Sequence, residues 1–266
     1  MTTILVFFAA HWFLSAFVQS FFLHRYASHG QFKLSPFWEK FFYILTFVAQ
    51  GPSFLNPRAY AILHKMHHAY SDDEKDPHSP HQSTNIFKMM WKTAVIYDDI
   101  LKDRVKPEPR FDKEYPVFPT IDRFSSTWVS RLTLGALITF VYFAFVPMDA
   151  LWLYALLPLQ WVMGPIHGAM VNWGGHKYGY RNYKHIRDES KNTLPIDFLI
   201  GGELYQNNHH AAQNSPNFAR KWWEIDTTYA VMRVLNFAGI IELKQRNPSL
   251  ARSKRVARSA ELAKAA

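Results

Sequence analysis

Thirteen histidines and no cysteine make imidazole the only strong nitrogen or sulfur metal ligand this chain can offer. The histidines are not scattered. They collect in four short segments: His24-Arg-Tyr-Ala-Ser-His29, His64-Lys-Met-His67-His68, Asn172-Trp-Gly-Gly-His176 and Gln206-Asn-Asn-His209-His210. The lack of thiols excludes disulfides, Cys-ligated zinc, iron–sulfur clusters and thiol nucleophiles together. A single histidine is usually a surface or satisfied core residue. Four clusters, each at the end of an apolar run, point instead to a metal site.

The spacing says how each cluster could work. In the second, His64, His67 and His68 stand at i, i+3 and i+4 and share a helical face. Pro57 suits the first helical position, and three imidazoles on one face make a ligand set. His24 and His29 are five residues apart, so on an ideal α-helix their rings diverge by about 140°. Both reach one site only if the helix ends or bends there, and Gly30 follows at once. Asn172 and His176, at i and i+4, share a face. His209 and His210 point apart unless the backbone bends or each ring serves a different metal. Eight such histidines exceed one tetrahedral zinc site, and two metals with about four ligands each fit better. Thiolate-free nitrogen ligation suits iron among the redox metals, although zinc and copper also accept imidazole. No ExxH occurs, which excludes the carboxylate-bridged motif of ferritin-like bundles.

The elements that must position these groups are apolar. Aromatics make up 17% of the 266 residues, and Asp, Glu, Lys and Arg only 19%, too apolar a balance for a disordered chain. Ile4 to Leu23 holds no charged residue and is long enough to cross a bilayer core. It lacks the charged n-region and small-residue cleavage site of a signal peptide. Further runs cover 132–147 and 150–172, separated by Pro147-Met148-Asp149, and read as a transmembrane hairpin. Lys and Arg crowd 102–131, 177–191 and 244–264 but not that turn, so the turn faces outward, and residues 72–131 and 174–266 face the cytoplasm. Were 37–55 a full crossing, His64 would emerge on the side opposite His24. That segment, interrupted by Glu39, Lys40, Gly51 and Pro52, is therefore expected as a membrane-embedded amphipathic helix. The fold class is all-α: an integral membrane protein of about three full transmembrane helices (4–23, 132–147, 150–172) plus one embedded amphipathic helix (37–55). A cytoplasmic helical cap (60–130 and 174–266) completes a single domain over 1–266. The net charge of +9 fits nucleic acid, an anionic membrane surface or an acidic partner.

Taken together, HRYASH (24–29), HKMHH (64–68) followed by DPHSP (76–80), VNWGGHKYGYRNY (171–183), and GGELYQNNHH (201–210) followed by KWWEID (221–226) resemble the membrane fatty acid desaturases, closest to the stearoyl-CoA/Δ9 group and its short bacterial acyl-CoA or acyl-lipid members. The resemblance spans essentially the whole chain. It implies two Fe2+ ions bound by His24, His29, His64, His67, His68, His176, His209 and His210, with O2 as co-substrate. It implies removal of two hydrogens from an acyl chain carried on CoA or phospholipid, giving a cis double bond expected at Δ9. Asn172 matches an asparagine that acts through a water on the metal. Gln206 stands where the family usually has histidine. A neutral amide is a weak ligand, so Gln206 is expected behind a ligand or water-bridged, and Asp76 is expected to orient a ligand imidazole from behind.

No GxGxxG or HPGG motif is present. Electrons are therefore expected from an external carrier, a ferredoxin, rubredoxin or cytochrome b5-like protein with its reductase, steered by the basic surface. The expected location is the bacterial inner membrane, with the active site and C-terminus cytoplasmic. The competing enzyme reading is a His-box hydroxylase of alkane or carotenoid type, and the non-redox one a multi-His metal binder or transporter. Of the other histidines, His11 is expected to be structural. His167, about half a turn round from His176, is expected to face away from the metal. His78 and His81 fall in a Pro-rich turn, and His185 in a solvated loop.

Overall fold

The computed structural model describes residues 1–244; the basic tail expected to complete the cap, 245–266, lies outside them. The first helix, α1 (Thr2–Val18), passes without a break into a π-helical segment, Gln19–Ser28. There the His29 amide donates to the His24 carbonyl at 3.1 Å, the i→i+5 bond that defines a π-helix. This wider turn stacks residues five apart and removes the divergence that an α-helix would impose on His24 and His29.

Short strands β1 (Phe32–Leu34) and β2 (Ile241–Leu243) pair antiparallel, Lys33 opposite Glu242. The chain is thus mainly helical rather than strictly all-α. Helix α2 (Pro36–Gln50) starts at the Ser35 cap and stops at Gly51, whose φ of 55° few side chains tolerate. It buries Phe42, Tyr43, Thr46 and Ala49, with Phe42 against Phe21 and Tyr43 against Phe22 of the π-helical segment, while Phe37, Phe41, Ile44 and Val48 form an exposed apolar stripe at helical spacing. Together with the turn Gly51–Ser53 it fills the segment expected to be amphipathic and membrane-embedded.

Helix α3 (Pro57–Tyr70) is capped by Asn56, whose side chain accepts from the Ala59 amide at 3.1 Å. It lies along the π-helical segment. Helices α4 (Ile86–Leu101) and α5 (Pro119–Ser125) follow. Helix α6 (Trp128–Phe145) buries Ile138 and Tyr142 and exposes Leu132, Leu137, Phe140 and Phe143. Among the described residues two helices are long and apolar enough to cross a membrane, Thr2–Ser28 and Trp128–Phe145.

The third expected span, 150–172, is not one helix. It is divided among a 3-10 stretch (Met148–Leu156), α7 (Leu157–Trp161), α8 (Met163–Ala169) and a π-turn (Met170–Gly174), with Val162 out of helical geometry at φ −126°, ψ 31°. Pro165 explains the main break: it has no N–H for the Trp161 carbonyl, and its ring would clash there. Short α9 (Gly175–Lys177), α10 (Gln206–Ala211) and α11 (Thr227–Phe237) complete the order. A core of Phe21, Phe22, Phe42, Tyr43, Met232 and Ile241 ties the π-helical segment, α2, α11 and the strand pair into one body.

Candidate metal centre

The fold gathers all eight predicted histidines and sorts them into two sets. His24, His29, His64, His68 and His209 form one; His67, His176 and His210 form the other. Neighbours in the chain part company: His67 and His68 serve different sets, as do His209 and His210. The i, i+4 pair His64 and His68 stays together, while His67 turns to the second set.

In the larger set the Nε2 atoms converge. His24 to His209 is 3.0 Å, His29 to His64 2.8 Å, and His68 lies 2.9 Å from both His64 and His209. Nitrogens about 2.1 Å from one cation and at right angles around it stand about 3 Å apart, so this spacing fits a cation at their centre. In the smaller set the Nε2 atoms of His67, His176 and His210 are all buried with no hydrogen-bond partner among the described residues. Buried polar atoms rarely stay unpaired, and three aimed at one point fit a metal.

Carboxylates stand behind several of these rings. The Nδ1–H groups of His67, His176 and His210 donate to Asp76, Asp72 and Asp188 at 2.9, 3.0 and 3.0 Å, and His24 donates to Glu203. Such bonds fix the tautomer and leave the Nε2 lone pair free for a metal. Asp76 occupies the place expected for it. Asp72, Asp188 and Glu203 were not singled out in the sequence. Glu203 is 179 positions from His24, and no local spacing announces such a pair. Asp72 is held in the left-handed region at φ 65°, a conformation that Asp tolerates better than most residues. Burial alone would raise its carboxyl, but bonds from His176 and the Glu189 amide outweigh burial and hold it at about 2. Burial lowers His210 to about 4 and, with neighbouring imidazoles, pushes His64, His68 and His209 well below their ordinary range. Neutral imidazole is the form that binds metal.

A buried arginine binds the boxes together. Arg25, fully buried, reaches Asp226 at 3.0 Å, Glu203 at 3.4 Å and the Pro216 carbonyl at 2.8 Å, and its guanidinium lies 4.0 Å from the Phe218 ring centre. The loop carrying Glu203 is itself shaped by Asp197, which accepts from the amides of Leu199, Ile200, Gly202 and Leu204. Gln206 does not reach toward a ring. Its Nε2 donates to the Glu203 carbonyl at 2.7 Å, and its side chain packs where a Cβ on Gly175 would sit.

Beside the larger set lies a cavity of about 700 Å³, with His24, His64 and Asn172 in its wall and Leu63, Met90 and Trp161 among its apolar lining. Phe54 also faces it, whereas Phe41 and Trp152, from the same aromatic-rich segments, are exposed. His167 lines this cavity edge-on to Trp12 and belongs to neither set. His11 is structural: Nε2 lies 2.9 Å from the Ala49 carbonyl, and Nδ1 accepts from Gln160 at 2.9 Å. His78 is buried against His67, and His185 is exposed.

The sequence profile of the fatty acid desaturase family matches residues 2–238. The chain belongs to that family. Its members are iron-dependent, membrane-associated oxidoreductases acting on fatty acyl chains. It is 29% identical to the sn-1 stearoyl-lipid 9-desaturase of Anabaena variabilis over 225 residues, covering 82% of this chain and 74% of the relative. Against the hex-5-enoyl-[acyl-carrier protein] acetylenase of Moorena producens it is 30% identical, covering 86% and 73%. The Delta-9 desaturase-like 5 protein of Arabidopsis thaliana is 27% identical, covering 83% and 70%.

Proposed function

We propose that this desaturase holds two Fe2+ ions, one at His24, His29, His64, His68 and His209 and one at His67, His176 and His210, with Asn172 acting through a water. The reaction inserts a cis double bond, expected at Δ9, into a saturated acyl chain on CoA or phospholipid. It balances as –CH2–CH2– plus O2, two electrons and two protons giving –CH=CH– plus two waters. The chemistry supplied by the bound metals is reductive activation of O2 and hydrogen removal from adjacent methylenes. The Δ9 position rests on the Anabaena and Arabidopsis relatives, whose names carry it.

The single observation that carries this reading is the sorting of eight imidazoles, six buried and two half-buried, into two sets, the larger of which puts His24 and His64 in the wall of an apolar cavity. The chain's own residues do the rest. Asp72, Asp76, Asp188 and Glu203 hold the Nδ1 protons and aim the rings. Arg25 locks the first box to the loop that follows the fourth. The cavity wall excludes water and holds the acyl chain against His64 and Asn172. Electrons come from a separate ferredoxin, rubredoxin or cytochrome b5-like carrier, whose acidic face the +9 charge attracts. The location that fits is the bacterial inner membrane, multi-pass, with the site and C-terminus cytoplasmic.

The test is expression in a host poor in unsaturated lipids, together with a donor and its reductase, and mass spectrometry of total fatty esters. New cis monoenes, absent with His209→Ala, are expected. Hydroxylated esters in their place would overturn the desaturase assignment in favour of a hydroxylase.

A further inference from the structure

A second cavity, about 1470 Å³, adjoins the first. Both have Pro52, Leu101, Arg131, Trp161 and Val162 in their walls, so they meet at Arg131. From there the second cavity runs along α6 past Leu132, Gly135 and Phe140 to Phe143, about 18 Å of helix. Leu132, Phe140 and Phe143 are 67%, 65% and 78% exposed, on one of the two helices fit to cross a membrane. The result is a fork: one limb leads to the histidines, and the other lies open along a face suited to lipid.

The fork carries charge. Arg58, Lys102, Arg123 and Arg131 line it, with Asp98 and Asp122. The acids are committed. Asp98 pairs with Lys102 at 2.9 Å and with Arg104, and Asp122 accepts from Asn56 at 2.7 Å, from the Phe118 amide at 2.9 Å and from Tyr43. Arg58 is committed to Asp103 and Asp112. Among the described residues Arg123 and Arg131 have no carboxylate partner; Arg131 donates one Nη1 bond to the Pro52 carbonyl at 2.7 Å. Arg131 sits in the first turn of α6, beside Trp128, which is 77% exposed. With α6 as a membrane span, this end of the helix would lie where headgroups meet hydrocarbon.

We propose that Arg123 and Arg131 form a phosphate subsite at this fork and that the substrate is a diacyl glycerophospholipid, one chain in the limb beside the histidines and the other along α6. This rests on the acyl-desaturase reading and selects its lipid form. An acyl thioester of CoA also carries phosphate, but its single chain fills one limb and leaves the α6 trough empty. Each guanidinium matches phosphate oxygens in charge and in the geometry of its donors, and both line the same cavity.

The test is direct binding of radiolabelled ligands to the purified full chain in detergent. The three ligands are distearoyl phosphatidylglycerol, distearoylglycerol (the same chains without phosphate) and stearoyl-CoA. The phospholipid is expected to bind roughly ten-fold or more tighter than distearoylglycerol, and more tightly than stearoyl-CoA. Arg123→Gln with Arg131→Gln should erase the preference over distearoylglycerol, and Arg131→Lys should keep most of it. Phe140→Glu, which puts a charge in the α6 trough at a residue that lines only the second cavity, should weaken both two-chain ligands and spare stearoyl-CoA. If the double variant fails to fold, the wild-type order and Phe140→Glu decide alone. Tighter binding of stearoyl-CoA, or a phosphate preference that survives the double substitution, overturns the proposal. Binding in the expected order without any double bond formed would instead reject the desaturase reading and leave the subsite standing.

Discussion

The two histidine sets solve one problem in opposite ways. The larger packs five imidazoles around a point, with Nε2 atoms 2.8–3.0 Å apart. Among the described residues only His24 of these rings has a carboxylate behind it, and the Nδ1 atoms of His68 and His209 are buried without a partner. The smaller set has three imidazoles, each aimed by its own aspartate. One set holds its point by number of ligands, the other by orientation of fewer. On the proposed two-metal reading, the smaller set would depend more on residues that are not ligands, and it would leave more coordination positions for small molecules.

That contrast can be broken most sharply at the adjacent pair His209 and His210. Either alanine substitution is expected to take desaturation below detection. Metal analysis of the two variants should show a different site emptied in each, and loss of both ions from either would mean the sets are not separable.

Arg25 ranks next. Arg25→Leu strands Asp226 and Glu203 as buried charges and is expected to cost about 3–5 kcal/mol of stability. The measurement is the thermal midpoint of the detergent-solubilised chain, and an unchanged midpoint would remove Arg25 from its role as the link between boxes.

The carboxylates sharpen the comparison between the sets. Asp76→Asn and Asp188→Asn should lower metal affinity or activity about 10–100-fold, measured as iron retained against a graded chelator. The loss should fall on the smaller set, while Glu203→Gln should fall on the larger. If all three substitutions release both metals equally, the division of labour is wrong.

Gln206→Ala has the smallest expected effect, less than about ten-fold in activity, within the lower range for groups that act behind a ligand, with iron content near wild type. Its amide serves the Glu203 carbonyl at 2.7 Å rather than a ring. Loss of iron as complete as in His210→Ala would make Gln206 a ligand after all.

The histidine boxes were legible because few residue types can hold a metal without cysteine, and because clusters at span ends are rare by chance. The expectation at 37–55 rests on the need for His24 and His64 to meet; the structure puts those two rings together, with centres 4.4 Å apart, and forms an amphipathic helix over Pro36–Gln50. The aspartates behind the rings were not, apart from Asp76. Asp72 and Asp188 sit in polar loops where acids are ordinary, and only folding reveals that each faces an imidazole. The π-helix was half visible: the five-residue spacing of His24 and His29 demanded some departure from α geometry without saying which. The break at Val162 was written in Gly164-Pro165, but the apolar average over 150–172 concealed it. His167 was set aside as facing away from the metal. It belongs to neither set, yet the broken helix turns it into the cavity wall.

The most direct test of two metals held by two unlike sets is Mössbauer spectroscopy of the chain purified without oxygen and loaded with 57Fe2+, together with iron stoichiometry. Two irons per chain are expected, as two ferrous doublets of equal area and different parameters, with one doublet lost in His209→Ala and the other in His210→Ala. A reproducible single iron per chain under iron-replete loading would contradict the account.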